Sequence, residues 1–228
     1  MKLRECENFW VLGLFLGMVG LISALVLALV SEVTAPAIAR SGERAKSAAL
    51  KQLNLPDFDN APTKETIRVP GADGGVVFMA VRRSGKLVGL AAEASTRSGY
   101  AGEVRELVGF DRDGRILAVL VTDEKETPGL GKNVCERKFK RTIFNFFKPV
   151  PVGLPPNEIL DQFTGRRAGD KTDWRVVKDG GEFTFRTGAT VTSRAVTALT
   201  GDIAGALAKH RGKIFAAFEA QPEAEAVR

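Results

Sequence analysis

Two short segments of this 228-residue chain hold the residue types from which a ligand site is built. The first is Glu126-Thr127-Pro128-Gly129-Leu130-Gly131, between a β-like run and a helical stretch. Proline fixes φ and glycine tolerates φ > 0, so this backbone can come close to a bound group or simply turn a strand into a helix. The second is Thr187-Gly188-Ala189-Thr190-Val191-Thr192-Ser193, at the head of a segment with a buried-type stripe at Val196, Leu199, Ile203, Ala206 and Leu207. Small residues leave backbone N–H groups accessible, and the hydroxyls of Thr192 and Ser193 can cap the first turn or hold an anion. A helix start of this kind suits a phosphate, because unpaired N–H groups and the helix dipole both favour negative charge there. On residue types alone, an ordinary loop and an ordinary N-cap also account for both segments.

The rest of the chain offers little competing chemistry. One histidine (His210) and two cysteines (Cys6 and Cys135) argue against histidine triads, clustered zinc sites and a disulfide-stapled scaffold. The net charge of +6 is spread along the chain without a basic stripe interleaved with aromatics, so no nucleic-acid partner is expected. There is no acid–base pair and no nucleotide fingerprint, so no catalytic residue is assigned and any chemistry falls to a cofactor.

The elements that must position these segments read as follows. Residues 1–8 form an N-terminal tail, and the 22 residues Phe9–Val30 carry no charge. At 1.5 Å per residue that run spans about 33 Å, the thickness of a bilayer's hydrocarbon. Ala35, Ala37 and Ala39 offer signal-cleavage-like sites, but the apolar run is longer than a usual signal core, which favours an uncleaved membrane anchor in contact with lipid. Lys2 and Arg4 before the span predict a cytoplasmic N-terminus. Residues 31–66 read as a membrane-proximal helical spacer, with Pro36 suited to a helix start. Residues 67–212 form the main domain, with strands over 76–81, 87–92, 105–110 and 116–122 and hairpin signals at Ser84-Gly85 and Asp113-Gly114. Further on come a helix over 133–147, a proline-rich loop over 149–156, short strands at 174–177 and 183–185, and a last helix over 191–209. Residues 213–228 read as a flexible tail. The fold class is α+β: one transmembrane helix, then a mostly antiparallel sheet with packed helices.

With both segments in this order behind an anchor, the chain resembles the FMN-binding domain family. TGATVTS at 187–193 is similar to the family's flavinylation pattern, (S/T)-G-A-T-x-(S/T), and ETPGLG at 126–131 to its other signature. GYAGEVRELVGFDRDGRI (99–116) and the stretch 174–196 extend the likeness over most of residues 75–200. Within the family it looks most like the G subunits of Rnf-type ion-translocating electron-transport complexes. The related C subunits of sodium-pumping NADH:quinone reductases share both motifs, and an anchored periplasmic module without redox activity is a third reading.

The resemblance implies covalent FMN, its phosphate esterified to the hydroxyl of Thr190, installed from FAD by a periplasmic flavin transferase. Thr187, Gly188, Ala189, Thr192 and Ser193 would surround the attachment point, and Glu126, Thr127, Gly129 and Leu130 would line the flavin site. It implies a subunit of a bacterial inner-membrane translocase, its FMN domain in the periplasm. Such a subunit relays electrons among the other subunits of an Rnf-type complex, between ferredoxin and NAD, coupled to Na⁺ or H⁺ movement. Two positions depart from the family pattern: Thr184 stands where relatives often carry aspartate, with Glu182 as a possible substitute, and Glu124 where many carry histidine. Among the remaining residues, Tyr100 is a candidate flavin neighbour, Trp174 a core residue, Cys135 a quiet thiol and His210 a cation at a helix C-terminus. The run 138–141 reads as a solvated basic face.

Overall fold

The structure, a computed structural model, describes residues 9–139 and 153–220. The chain divides into two compact units between Ala45 and Lys46. Helix α1 spans Phe9–Gln52 without a break, with Pro36 inside it rather than at a new helix start. Proline deletes one backbone bond, but Ala35, Ala37 and Ala39 around it are strong helix formers, and the hydroxyl of Thr34 bonds back to the Val30 carbonyl at 2.7 Å. The apolar side chains from Trp10 to Val33 are exposed, on a helix long and apolar enough to cross a membrane.

The second unit is built on a five-stranded antiparallel sheet in sequential order: β1 (Thr66–Val69), β2 (Val76–Arg83), β3 (Lys86–Gly99), β4 (Gly102–Asp111) and β5 (Ile116–Asp123). The strands read as continuous apolar runs rather than strict alternations because both faces of the sheet are covered. One face packs against helix α4 (Thr190–Glu219) through Phe78, Leu90, Val104, Val108 and Phe110, which meet Val196, Leu199, Ile203 and Leu207. The other face buries Met79, Val81, Ala91, Leu107 and Leu120 under Leu50 and Leu53. The last turns of α1 therefore belong to the domain rather than to a spacer ending at residue 66, and Lys46 adds an ion pair to Glu93.

Other elements depart from expectation for physical reasons. Strand β1 escapes sequence reading because it is a four-residue edge strand, TIRV, only half apolar. The helix predicted over 133–147 is limited to α2 (Lys132–Cys135), with no helix over 136–139; the rest of that prediction lies outside the described residues. The strands predicted at 174–177 and 183–185 reduce to one parallel bridge, Val176–Phe183, around a 3₁₀ turn at Val177–Asp179. Trp174 stacks on Phe183 (centroids 5.1 Å apart) and lies so close over Gly201 that a Cβ there would stand 2.5 Å from its Cγ. It is a core residue. A short helix, α3 (Glu158–Asp161), is capped by Asn157, whose side chain accepts from the N–H groups of Ile159 and Leu160.

Helix α4 runs ten residues beyond its predicted end at 209, because Ile214 and Phe218 extend its buried stripe to full burial. Arg82, on β2, clamps that end by donating to the Phe218 carbonyl, to Gly85 and to the Glu65 carboxylate. Residues 213–219 are thus structural rather than a flexible tail. His210 lies in mid-helix rather than at a C-terminus, so a dipole role does not apply.

Candidate functional site

The two segments, almost 60 residues apart in sequence, meet around one cavity of about 450 Å³. Its lining includes Glu126, Thr127, Leu130 and Gly131 from the first and Gly188, Ala189, Thr190 and Thr192 from the second, with Tyr100 and Val191 at the rim. The volume lies in the range of small-ligand sites. The fold brings the segments together because the chain leaves β5 into the first just before α2, while α4 lays its N-terminal turns beside that exit.

Thr190 is the first residue of α4 and half-buried in the cavity wall. Its helix is N-capped by Ala189, which has no side-chain oxygen, so no side-chain cap blocks the first-turn N–H groups. Ser193 does not line the cavity. Fully buried, its Oγ accepts from Arg186 N (3.1 Å) and donates to the Ala189 carbonyl (3.0 Å), pinning the loop that leads into Thr190. Ser193 thus takes neither of the roles open to it in the sequence: it does not cap the first turn and does not line the cavity, but pins the loop before it. Thr187 and Gly129 are exposed and outside the lining; Gly129, at φ +83°, shapes the turn, which also carries a bond from the Asn133 side chain to its carbonyl.

Glu126 is the buried polar wall of the site, only 4% exposed. Its Oε1 accepts from Ala101 N at 3.3 Å, while its Oε2 is buried with no partner among the described residues. Its own N–H donates to the Glu124 carboxylate at 2.6 Å, and Glu124 in turn faces Lys132 at 3.7 Å. Glu124 thus orients the wall residue and does not itself line the cavity. An unpartnered acceptor in a cavity wall suits an N–H or O–H of a bound group, and the residues present fit FMN in that respect.

Two features of the site take their form from the fold. Tyr100 and Ala101 form the two-residue turn between β3 and β4, which puts Tyr100, 72% exposed, on the cavity rim with Leu130 and Val191. Gly131 reads in the sequence as loop punctuation, yet a Cβ on it would fall onto the Glu126 carboxylate and stand 2.7 Å from Thr192 Oγ1. Its backbone is ordinary helical (φ −59°), so the requirement for glycine is one of space alone. Gly131→Ala is expected to cost about 1–3 kcal/mol by overpacking and to displace Glu126 from the wall. A thermal melt and ligand occupancy measured together check this; an unchanged melt with full occupancy would contradict the tight packing.

The family-pattern departures have definite surroundings. Thr184 is exposed and locked to Gln162, whose Oε1 lies 2.8 Å from Thr184 N and 3.0 Å from its Oγ1. Glu182 is engaged with Arg166 at 2.9 Å and with Asp173 N. Arg194 forms a two-pronged pair with Asp179 (2.5 and 2.6 Å), one turn beyond Thr190 on α4. Cys135 is buried and free, and burial together with Glu124, Glu106 and Glu126 raises its thiol pKa well above the ordinary range. Lys138 pairs with Glu136, and residues 140 and 141 of the basic run lie outside the described residues.

Comparison with known proteins adds the following. The profile of the FMN-binding domain family matches residues 99–204, a range that contains both segments and Tyr100. The chain is 34% identical over 187 residues to the G subunit of the ion-translocating oxidoreductase complex of Cereibacter sphaeroides, covering 81% of this chain and 77% of that protein. It is 33% identical over 192 residues to the protein of the same name from Pseudomonas aeruginosa, covering 81% of each. For the protein of that name from Salmonella typhi the figure is 31% over 191 residues, covering 81% of this chain and 84% of the relative.

Proposed function

Because this chain belongs to the FMN-binding domain family, in the group of G subunits of ion-translocating oxidoreductase complexes, we propose that it is the FMN-carrying, electron-relaying subunit of such a complex. The FMN is joined through its phosphate to the hydroxyl of Thr190, where a separate flavin transferase installs it. The observation that carries this reading is the meeting of both motif segments around one cavity whose wall contains Thr190.

The residues divide the work according to their chemistry. A phosphodiester on Thr190 bears one negative charge and lies at the positive end of the 30-residue α4, which stabilises it by roughly 0.3–1 kcal/mol. Gly188 and Ala189 add little bulk to the approach to Thr190, and Leu130, Val191 and Tyr100 supply apolar contacts for a planar ring at the rim. Glu126 offers the acceptor, and Thr192 beside it fixes that wall. FMN, when bound, exchanges one or two electrons and so can join carriers of either kind. The isolated chain catalyses nothing by itself. In the complex it passes electrons between ferredoxin and NAD, coupled to Na⁺ or H⁺ movement.

The direct test makes the protein together with a flavin transferase. The denatured band should fluoresce as a flavin under ultraviolet light, and the mass should rise by one FMN less one water. Absence of both would overturn the assignment. The charge flank at Lys2 and Arg4 further supports a cytoplasmic N-terminus and a periplasmic domain. A phosphatase that works only outside the cytoplasm should therefore be active when fused after Arg228; an inactive but intact fusion would reverse the orientation.

A further inference from the structure

Among the described residues two acids are buried, Glu106 and Glu126. Glu106, on β4, faces α4, where the Thr200 hydroxyl lies 2.8 Å from its Oε2, and it does not line the cavity. Glu126 does line it. Several segments keep that second carboxylate in place. The Ala101 N–H of the β3–β4 turn donates to its Oε1, and the Glu124 carboxylate accepts from its backbone N–H at 2.6 Å. Glycines on both sides leave it room: a Cβ on Gly99 would stand 2.9 Å from Oε1, and one on Gly131 would fall onto Oε2. Gly131 and Thr192, its neighbours at Oε2, line the same cavity.

The charge held there is not balanced. Among the described residues no lysine or arginine pairs with Glu126. Lys132, nearby in sequence, faces Glu124 instead, at 3.7 Å. The Glu126 Oε2 has no hydrogen-bond partner among those residues either. Burying a carboxylate without a cation or a full set of donors costs stability, so a wall built around one calls for a use.

Coulomb's law supplies the use. In a wall shielded from water, charges act on each other several-fold more strongly than in bulk solvent. An electron that enters the cavity without a proton adds a negative charge beside Glu126, and the two repel. We propose that Glu126 tunes the potential of the site: its unpaired charge makes a bound flavin the weaker electron acceptor, so that only a strongly reducing carrier can load it.

The proposal rests on the FMN reading and gives Glu126 an electrostatic task within it. The electron leaves a reduced one-electron carrier, which is oxidised, and the flavin is reduced. No bond to Glu126 forms or breaks, so Glu126 is a positioning residue, acting through its charge.

The test is a redox titration of the full chain carrying covalent FMN installed by a flavin transferase, with free FMN titrated alongside. Glu126→Gln keeps the shape, and an oxygen for the Ala101 N–H, while removing the charge. Its midpoint potential should rise, with the one-electron equilibrium constant for reduction growing about tenfold, a shift of about 59 mV. Glu126→Asp keeps the charge and should stay closer to wild type, although it is one methylene short and disturbs the packing more. A purely structural wall residue would give the reverse order. Glu124→Gln removes a charge that Lys132 already faces, outside the cavity lining, and should move the potential less than Glu126→Gln. A Glu126→Gln constant within about twofold of wild type, or a larger shift for Glu126→Asp, would overturn the proposal. So would a wild-type potential at or above that of free FMN, an outcome that needs no variant to fold. In each of these cases flavin is attached and the FMN reading stands. A wild type that takes up no flavin overturns both.

Discussion

Thr190→Val should abolish covalent flavin completely, in a protein that still folds. Valine matches threonine in shape and lacks only the hydroxyl, and α4 draws no side-chain cap bond whose loss would weaken its start. The mass increment and the fluorescent band should both vanish, while the thermal melt of the flavin-free protein stays within about 0.5 kcal/mol of wild type. Thr192→Val is the control two residues on: it should keep covalent flavin, with its fully buried hydroxyl lost from the Glu126 wall. Ser193→Ala should also keep flavin but loosen the loop at 186–189, since it removes both bonds that pin it. A Thr190→Val protein that still carries attached flavin would place the linkage on another hydroxyl.

The second large effect lies far from the cavity. A chain ended after Gly212 should fail to fold, whereas one ended after Ala220 should behave as wild type. The shorter chain loses Ile214 and Phe218, both fully buried, and the carbonyl that Arg82 holds. Large-to-small changes at such sites cost about 2–5 kcal/mol each, so losing both removes about as much as a whole domain's net stability. Limited proteolysis and a thermal melt distinguish the two chains; a cooperative melt from the shorter one would show that α4's last turns are dispensable.

The parts of this fold that can be read in the sequence are those whose signals are local. Strands β2 to β5 stand out because each is a run of apolar residues closed by a turn, and Ser84-Gly85 has positive φ at both positions, as a tight hairpin turn requires. Both motif segments are legible because few combinations of glycine, proline and small hydroxyl residues recur by accident in that order. What escapes is decided by tertiary neighbours. The polar cluster His210-Arg211-Gly212-Lys213 hides the last two turns of α4, whose burial depends on the sheet beneath them. The need for glycine at 131 comes from a carboxylate and a hydroxyl brought in by other segments, which no local pattern encodes. Glu106 cannot be recognised as a core residue, because a single acid inside an apolar strand looks the same whether it faces solvent or helix.

The clamp between Arg82 and the Phe218 carbonyl joins positions 136 residues apart, and it bears on how the domain is born. A growing chain emerges from its N-terminal side, so the sheet, whose strands pair only with sequence neighbours, can assemble early. Its α4-facing surface then waits, apolar and uncovered, until almost the last residue is delivered. Such a nascent state is sticky, and the interval before closure is when a holding chaperone would matter most for yield. It also fixes an order of events: the cavity wall at Thr190 gains its final geometry only as the helix behind it docks, so the proposed attachment of FMN would follow completion of the fold.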